Sequence, residues 1–191
     1  MRQVKTLALM IALSLLLCSC TKGGMNADRM AEKIRSEFLH AGSITMTVDV
    51  TADYGDNVYD YRLRFEGGTK DGALTVLSPD TIAGLTARFE DGGLTLVYDG
   101  ASLDTGRLDS SGLSPIDSLP AMLGQWCDGY IAQSTFETMD GVSCAAVTYD
   151  VSDSVELRTW FDSETYLPVR AEFSTGGTVV IFCSFDDVIL Q

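Results

Sequence analysis

The feature that most limits how this chain can fold is the alternation of apolar and polar residues in many short runs. Ile44, Met46, Val48 and Val50 alternate with polar neighbours, and the same two-residue period returns along the chain. A period of two buries one face of a strand and leaves the other in water, as antiparallel sheets allow. The other runs have their apolar residues at Tyr59, Tyr61, Leu63 and Phe65; at Leu85, Ala87 and Phe89; at Leu94, Leu96 and Tyr98; at Ala145, Val147 and Tyr149; at Val155 and Leu157; and at Val169, Ala171 and Phe173.

Turn clusters that contain glycine separate these runs, at residues 53–57, 66–68, 90–93, 140–141 and 175–177. A strand, a glycine-bearing turn and a second strand form a hairpin, so the chain is predicted to be a meander of hairpins. The pattern indicates about ten to eleven strands, and a sheet of that size curls and buries its apolar face. We therefore expect a mainly β fold with helices (α+β), built on a curved antiparallel half-barrel.

Two segments have helical character and are expected to cover the concave face of this sheet. In residues 26–41, Ala27, Met30, Ile34 and Phe38 share one face of a helix. Asn26 is the expected N-cap and Gly42 the expected left-handed residue after the C-terminus. In residues 114–127, an apolar stripe ends at Trp126. Because proline interrupts helices, Pro120 is predicted to divide this segment into a turn and a short helix.

The charge of the chain excludes several classes of partner. The formal net charge is −14, and 46% of the residues are hydrophobic, which is enough for a core. Nucleic-acid binding requires Lys and Arg to neutralise phosphates, so a nucleic-acid partner is not expected. Adsorption to anionic lipid headgroups by charge is disfavoured for the same reason.

No residue pattern indicates catalysis, a cofactor or a metal site. The single histidine, His40, is expected to stabilise the C-terminal end of the first helix. Asp53, Asp56, Asn57 and Asp60 are rich in oxygen ligands, but their spacing does not fit a calcium loop, and a solvated turn is the better interpretation. Nucleophile-elbow, P-loop and dinucleotide motifs do not occur. The chain is therefore not expected to be an enzyme.

The N-terminus looks like that of a bacterial lipoprotein. Arg2 and Lys5 precede an uncharged run over residues 7–17, which is shorter than the roughly 20 residues needed to span a bilayer. The run ends at Leu17-Cys18-Ser19-Cys20, which resembles a lipobox, with Cys20 as the acylated residue. The resemblance implies a signal peptide at residues 1–19, a lipidated tether at residues 20–25 and one domain at residues 26–191. It also implies a membrane contact through the Cys20 lipid, on the outer face of the bacterial plasma membrane, or in the outer membrane of a two-membrane cell.

The remaining thiols leave two alternatives. Cys127, Cys144 and Cys183 cannot all pair with one another, and none forms a C-x-x-C motif. Cys144 and Cys183 lie in apolar strand runs, where free cysteine behaves as a small buried hydrophobe. Free buried thiols are the favoured interpretation, and a Cys144–Cys183 bridge between neighbouring strands is the alternative.

Two further segments resemble the lipoprotein-carrier fold family of LolA and LolB, in its Firmicute members. They are Val76-Leu77-Ser78-Pro79, which leads to the hairpin at residues 85–98, and Trp160-Phe161-Asp162-Ser163-Glu164-Thr165-Tyr166-Leu167-Pro168-Val169-Arg170. These motifs mark a fold and carry no catalytic residue. The family includes lipid and lipoprotein carriers, and germination lipoproteins that work through a protein partner, so fold alone does not select a function.

A half-barrel of this kind can enclose an apolar ligand between its sheet and its helices. The candidate lining comprises Met46, Val48, Leu63, Phe65, Leu96 and Tyr98, with Met122 and Trp126 as part of a lid. The alternative is that these side chains simply pack as a dry core. The first interpretation predicts binding of a lipid or lipoprotein acyl chain. The second leaves a non-enzymatic module that binds and positions an envelope or spore-cortex enzyme.

Overall fold

The computed structural model describes residues 25–191, which form one open antiparallel sheet of 11 strands and two α-helices. The predicted fold class is confirmed, and the sheet is not closed into a barrel. The proposed signal peptide and residues 20–24 of the tether lie outside the described residues. The strands are β1 (Ile44–Asp53), β2 (Val58–Gly67), β3 (Gly72–Ser78), β4 (Thr86–Glu90), β5 (Gly93–Tyr98), β6 (Ala101–Arg107), β7 (Ile131–Met139), β8 (Val142–Ser152), β9 (Val155–Asp162), β10 (Pro168–Thr175) and β11 (Thr178–Leu190).

The order of the strands joins two meanders at the centre of the sheet. It runs β6-β5-β4-β3-β2-β1-β11-β10-β9-β8-β7, so the first and last strands of the chain are neighbours. Ile44 at the start of β1 is paired with Gly67 of β2 and with Leu190 of β11. The two free edges of the sheet are therefore β6 and β7.

Helix α1 (Ala27–His40) begins as the sequence predicts. The Asn26 side chain accepts a hydrogen bond from the Arg29 backbone N–H at 2.9 Å, and the buried residues include Met30, Ile34 and Phe38. The prediction for Gly42 is wrong, because the chain leaves the helix through Ala41 in an extended conformation and Gly42 has no positive φ. The Gly42 N–H instead donates to the carbonyl of Gln191, which ties the helix end to the last residue of the chain.

Helix α2 (Pro115–Asp128) is continuous, so the predicted division at Pro120 is wrong. Ser114 caps the helix by accepting from the Asp117 N–H at 3.2 Å. Pro120 lacks the N–H that would donate to the Ile116 carbonyl, so it removes a hydrogen bond near the first turn only. Burial of the apolar stripe outweighs that loss; its members are Leu119, Met122, Leu123 and Trp126.

The three cysteines within residues 25–191 are free thiols, as favoured from the sequence. Cys144 and Cys183 cannot pair because β9 and β10 lie between their strands. Their side chains also belong to different clusters, Cys183 in the main core and Cys144 in a smaller one with Ala146 and Trp160. Burial raises the pKa of the Cys127 thiol to about 11 and also raises the pKa values of Cys144 and Cys183.

These thiols are therefore expected to be inert in the folded protein, because the thiolate is the reactive species. In a protein of residues 21–191 at about pH 8, a thiol reagent should label none of them within minutes and all of them after unfolding in guanidinium. Mass spectrometry counts the adducts, and Ser110→Cys, at an exposed loop position, supplies a rapidly labelled control. Rapid labelling of the folded chain at a native cysteine would contradict the burial described here.

Among residues 25–191, neither helix is long and apolar enough to cross a membrane.

Candidate functional site

The predicted cavity residues divide into a buried group and a reachable group. Met46, Val48, Leu63, Phe65, Met122 and Trp126 are all 1% exposed or less. Leu96 is half-buried, whereas Tyr98 is 47% exposed. The structure thus brings the predicted sheet residues onto one concave face, with Met122 and Trp126 of α2 in the same core, but the helices cover only part of that face.

Residue pairs between neighbouring strands trace the concave face from its buried centre to its exposed edge. Met46 of β1 is paired with Phe65, and the same row continues across the sheet through further paired residues. We name this set the concave row: Met46, Phe65, Leu74, Ala87, Leu96 and Leu103. The row is fully buried at Met46 and reaches 63% exposure at Leu103 on edge strand β6. An apolar surface therefore runs without interruption from the core to solvent.

The covered part of the face is filled by aromatic side chains. The Trp126 ring lies 4.9 Å from the Phe38 ring, 5.4 Å from Phe161 and 5.7 Å from Phe185, measured between centroids. Its indole N–H donates to the Thr159 hydroxyl at 3.0 Å, inside the core. Because Trp126 packs against residues from α1, β9 and β11, it fixes α2 on the sheet.

An open cleft of about 420 Å³ lies along the outer side of α2. We name it the α2 cleft; it is lined by Gly92, Arg107, Leu108, Asp109, Ser110, Pro120, Ala121, Gly124 and Gln125. Its walls are thus helix α2 and the segment that leaves β6 next to the β4–β5 hairpin. Gly124 is exposed, and a Cβ added there would meet no atom within 4 Å.

Three exposed tyrosines mark the sheet margin where β1–β2, β3–β4 and β5–β6 are connected. Tyr54, Tyr59 and Tyr98, here named the tyrosine rim, are 46%, 47% and 47% exposed. The Tyr54 and Tyr59 rings are 6.2 Å apart, and the Tyr54 hydroxyl donates to the Leu113 carbonyl at 3.0 Å. Partial burial and the nearby tyrosines raise the pKa of Tyr54.

A second aromatic cluster, which the sequence analysis missed, lies on the convex face. The Arg158 and Arg170 guanidinium groups lie over the Trp160 ring at 4.9 and 5.5 Å from its centroid. Glu137 accepts from the Trp160 indole N–H at 2.7 Å and from Arg158. The residues lie on β7, β9 and β10, so only strand pairing brings them together. Arg158 is paired with Glu137 and Arg170 with Glu172, and Trp160 packs with the buried Cys144 and Ala146.

Residues 25–191 contain no group of three or more His, Cys, Asp or Glu side chains able to hold a metal ion. In the turn at residues 53–57, the Asp53 carboxylate accepts from the Gly55 backbone N–H at 2.8 Å. His40 is exposed, and its Nδ1 lies 2.7 Å from the carbonyl oxygen of Ser36, at the end of α1. These residues thus have local structural contacts.

Comparison with protein-family models and with curated proteins finds no match for this sequence. Among solved structures, an uncharacterized conserved protein from Thermus thermophilus matches with a TM-score of 0.54 and 8% identity, over 86% of this chain and 87% of that one. MucB matches with a TM-score of 0.50 and 10% identity, over 88% of this chain and 60% of MucB. The LolA superfamily protein NE2245 from Nitrosomonas europaea matches with a TM-score of 0.47 and 13% identity, over 88% and 94%.

The described residues thus share their fold with the Thermus thermophilus protein and with MucB. At these identities the likeness concerns the fold alone, and any function has to be argued from the surfaces of this chain.

Proposed function

We propose that this chain is an extracytoplasmic binding protein, without catalytic activity of its own, held at a membrane surface by a lipid on Cys20. Its ligand is an apolar molecule, a lipid or a lipoprotein acyl chain, bound on the concave face. The membrane is the outer face of the bacterial plasma membrane, or the outer membrane in a cell with two.

The concave row is the single observation that carries this proposal. In a soluble domain, large apolar surfaces are normally covered by other parts of the protein, because contact between apolar surface and water is unfavourable. Here the row extends past α2 to Leu103. An acyl chain lying along the row would remove this surface from water, at about 25 cal/mol for each Å² buried.

Access to the inner part of the row requires α2 to move, because Trp126 and Met122 fill the space beneath it. The α2 cleft is the place where this movement can begin. One wall is the end of β6 and the loop after it, in which the Leu108 N–H donates to the Gly92 carbonyl at 3.1 Å. Asp109 and Ser111 in the same loop bond to each other at the surface. Such exposed local contacts open more readily than a buried core.

A second function is favoured by the filled space under α2. If α2 stays closed, the chain acts as a module that binds and positions an envelope or spore-cortex enzyme by its surface. The exposed edge of β6 and the tyrosine rim are the surfaces such a partner would use.

A substitution that fills the α2 cleft distinguishes experimentally between the two proposed functions. Gly124→Trp places an indole in the cleft, whereas Gly124→Ala leaves it open and serves as the matched control. We expect wild type and Gly124→Ala to bind a fluorescent long-chain fatty acid, and Gly124→Trp to bind at least about tenfold more weakly, or about 1.4 kcal/mol. Equal binding by all three proteins would contradict access through the cleft, and no binding by wild type would leave the second function.

The same control makes its own stability prediction. Gly124 is an exposed helix-interior residue with free space around it. Gly124→Ala should therefore raise the free energy of unfolding by about 0.5–1 kcal/mol, because glycine has the higher conformational entropy when unfolded. Urea denaturation followed by circular dichroism measures the change, and a loss of stability would show that the cleft is tighter than described.

A further inference from the structure

The surface around the tyrosine rim combines exposed aromatic side chains with uncompensated negative charge. Three connections meet this margin of the sheet, at residues 54–57, 79–85 and 99–100. These connections lie side by side along the margin, because β1 to β6 have the same order in the sheet as in the chain. Tyr59 pairs with Ala52, whose side chain is buried in the concave core, so the rim continues the concave face.

Two of the three rim tyrosines, Tyr54 and Tyr59, are held in place before any partner arrives. Tyr54 is fixed by its hydrogen bond to Leu113 and by its contact with Tyr59. Rigid tyrosines with a polar tip are enriched at binding surfaces, since they supply large contact area at a small cost in conformational entropy. Half-exposed side chains fixed in this way are available for a partner.

The charge around the rim has one sign. The connections and the start of α2 carry acidic residues, and among the described residues none of these acids forms an ion pair. The acids are Asp53, Asp56, Asp80, Asp99 and Asp117. No Lys or Arg lies in residues 53–60, 79–86, 98–106 or 108–117.

On the convex face, by contrast, one arginine compensates two acidic residues. Arg62 bonds to Asp49 at 2.6 Å and to Asp186 at 3.0 Å. The rim therefore presents a negative field that a cationic partner would complete.

We propose that the tyrosine rim docks a polypeptide segment in which Lys or Arg flanks large apolar side chains. The proposal deepens the second function above and rests on it, because it names the chemistry of the polypeptide partner. An anionic lipid headgroup is repelled by the same field. A second copy of the chain is disfavoured, because it would bring an equally acidic rim to the contact.

The test uses a protein of residues 21–191 and a phage-displayed library of random peptides as the probe. Peptides selected on wild type should be rich in Lys or Arg together with aromatic or aliphatic residues. Their affinities are then measured by calorimetry, with Tyr59→Ser and Tyr98→Ser as rim variants. Phe136→Ser is the matched control, because Phe136 is 43% exposed but lies on β7, at the far edge of the sheet. Each rim variant should weaken binding about tenfold or more, as expected at an aromatic anchor, and the control should not change it.

A second arm tests the charge. Asp80→Asn and Asp99→Asn remove acids without changing shape, and asparagine accepts the positive φ of Asp99. Both should weaken binding and reduce its salt dependence. Selected peptides that lack cationic residues, or that bind the rim variants as tightly as wild type, would overturn the proposal.

The outcomes also separate this proposal from the functions above. Peptides that bind at full affinity to the rim variants would keep a polypeptide partner but reject this surface. Failure to enrich any peptide would reject the rim together with the partner function. Fatty-acid binding by the same proteins reports on the acyl-ligand function independently.

Discussion

Replacing Trp126 by alanine is expected to lower the free energy of unfolding by about 3–5 kcal/mol, the range for removal of a large buried aromatic side chain. The ring is fully buried and contacts Phe38, Phe161 and Phe185. The substitution leaves a cavity between α2 and the sheet and also leaves the buried Thr159 hydroxyl without its donor. Urea denaturation followed by tryptophan fluorescence from Trp160 and by circular dichroism measures the loss.

Two further variants separate packing from hydrogen bonding at this position. Trp126→Phe keeps an aromatic ring but removes the donor to Thr159, so an intermediate loss is expected. Adding Thr159→Val to Trp126→Phe removes both polar partners and should recover part of that loss. A loss below about 1 kcal/mol for Trp126→Ala would mean that α2 is not held on the sheet by this contact.

Acylation should depend entirely on Cys20. In cells given an alkyne-labelled fatty acid, the wild-type protein should incorporate label, and Cys20→Ala should incorporate none, because the thiol is the proposed acyl acceptor. Cys18→Ala is the matched control and should retain the label, since Leu17 before Cys18 is too large for a cleavage site that requires a small residue. In-gel fluorescence and the mass of the processed protein give the result.

The opposite pattern would assign the lipid to the other cysteine. Label retained in Cys20→Ala but lost in Cys18→Ala would move the anchor and the processed N-terminus. Label in neither wild type nor variants would remove the membrane tether from the proposal. The tether is short, because α1 begins at Ala27.

Strand positions were predictable because a two-residue period records burial directly. In β1, the residues at the even positions from Ile44 to Ala52 are all 1% exposed or less. The alternation also predicted that Leu96 and Tyr98 lie on the concave face of the sheet. It did not predict their exposure, since that depends on how far α2 extends over the sheet. The pairing of β1 with β11 joins strands that are far apart in the sequence, so it leaves no local signal.

The helix errors have a common origin in tertiary contacts. Pro120 disfavours a continuous helix locally, but the buried stripe that includes Met122 and Trp126 holds the helix together. Gly42 locally favours a left-handed helix end, but its N–H donates a hydrogen bond to the Gln191 carbonyl. The tyrosine rim was not predicted from the sequence, because it also depends on tertiary structure. Asp53 and Asp56 have the pattern of an ordinary solvated turn, and only the sheet order places them along the same margin as Asp80 and Asp99.

Native mass spectrometry of residues 21–191 tests the central proposal most directly. The protein is purified without detergent, measured, extracted with organic solvent and measured again, then exposed to an added fatty acid. Binding of an apolar ligand predicts extra mass that disappears on extraction and reappears with the fatty acid, and that is reduced in Gly124→Trp but not in Gly124→Ala. A clean apo mass with no uptake by the wild-type protein would contradict the acyl-ligand function.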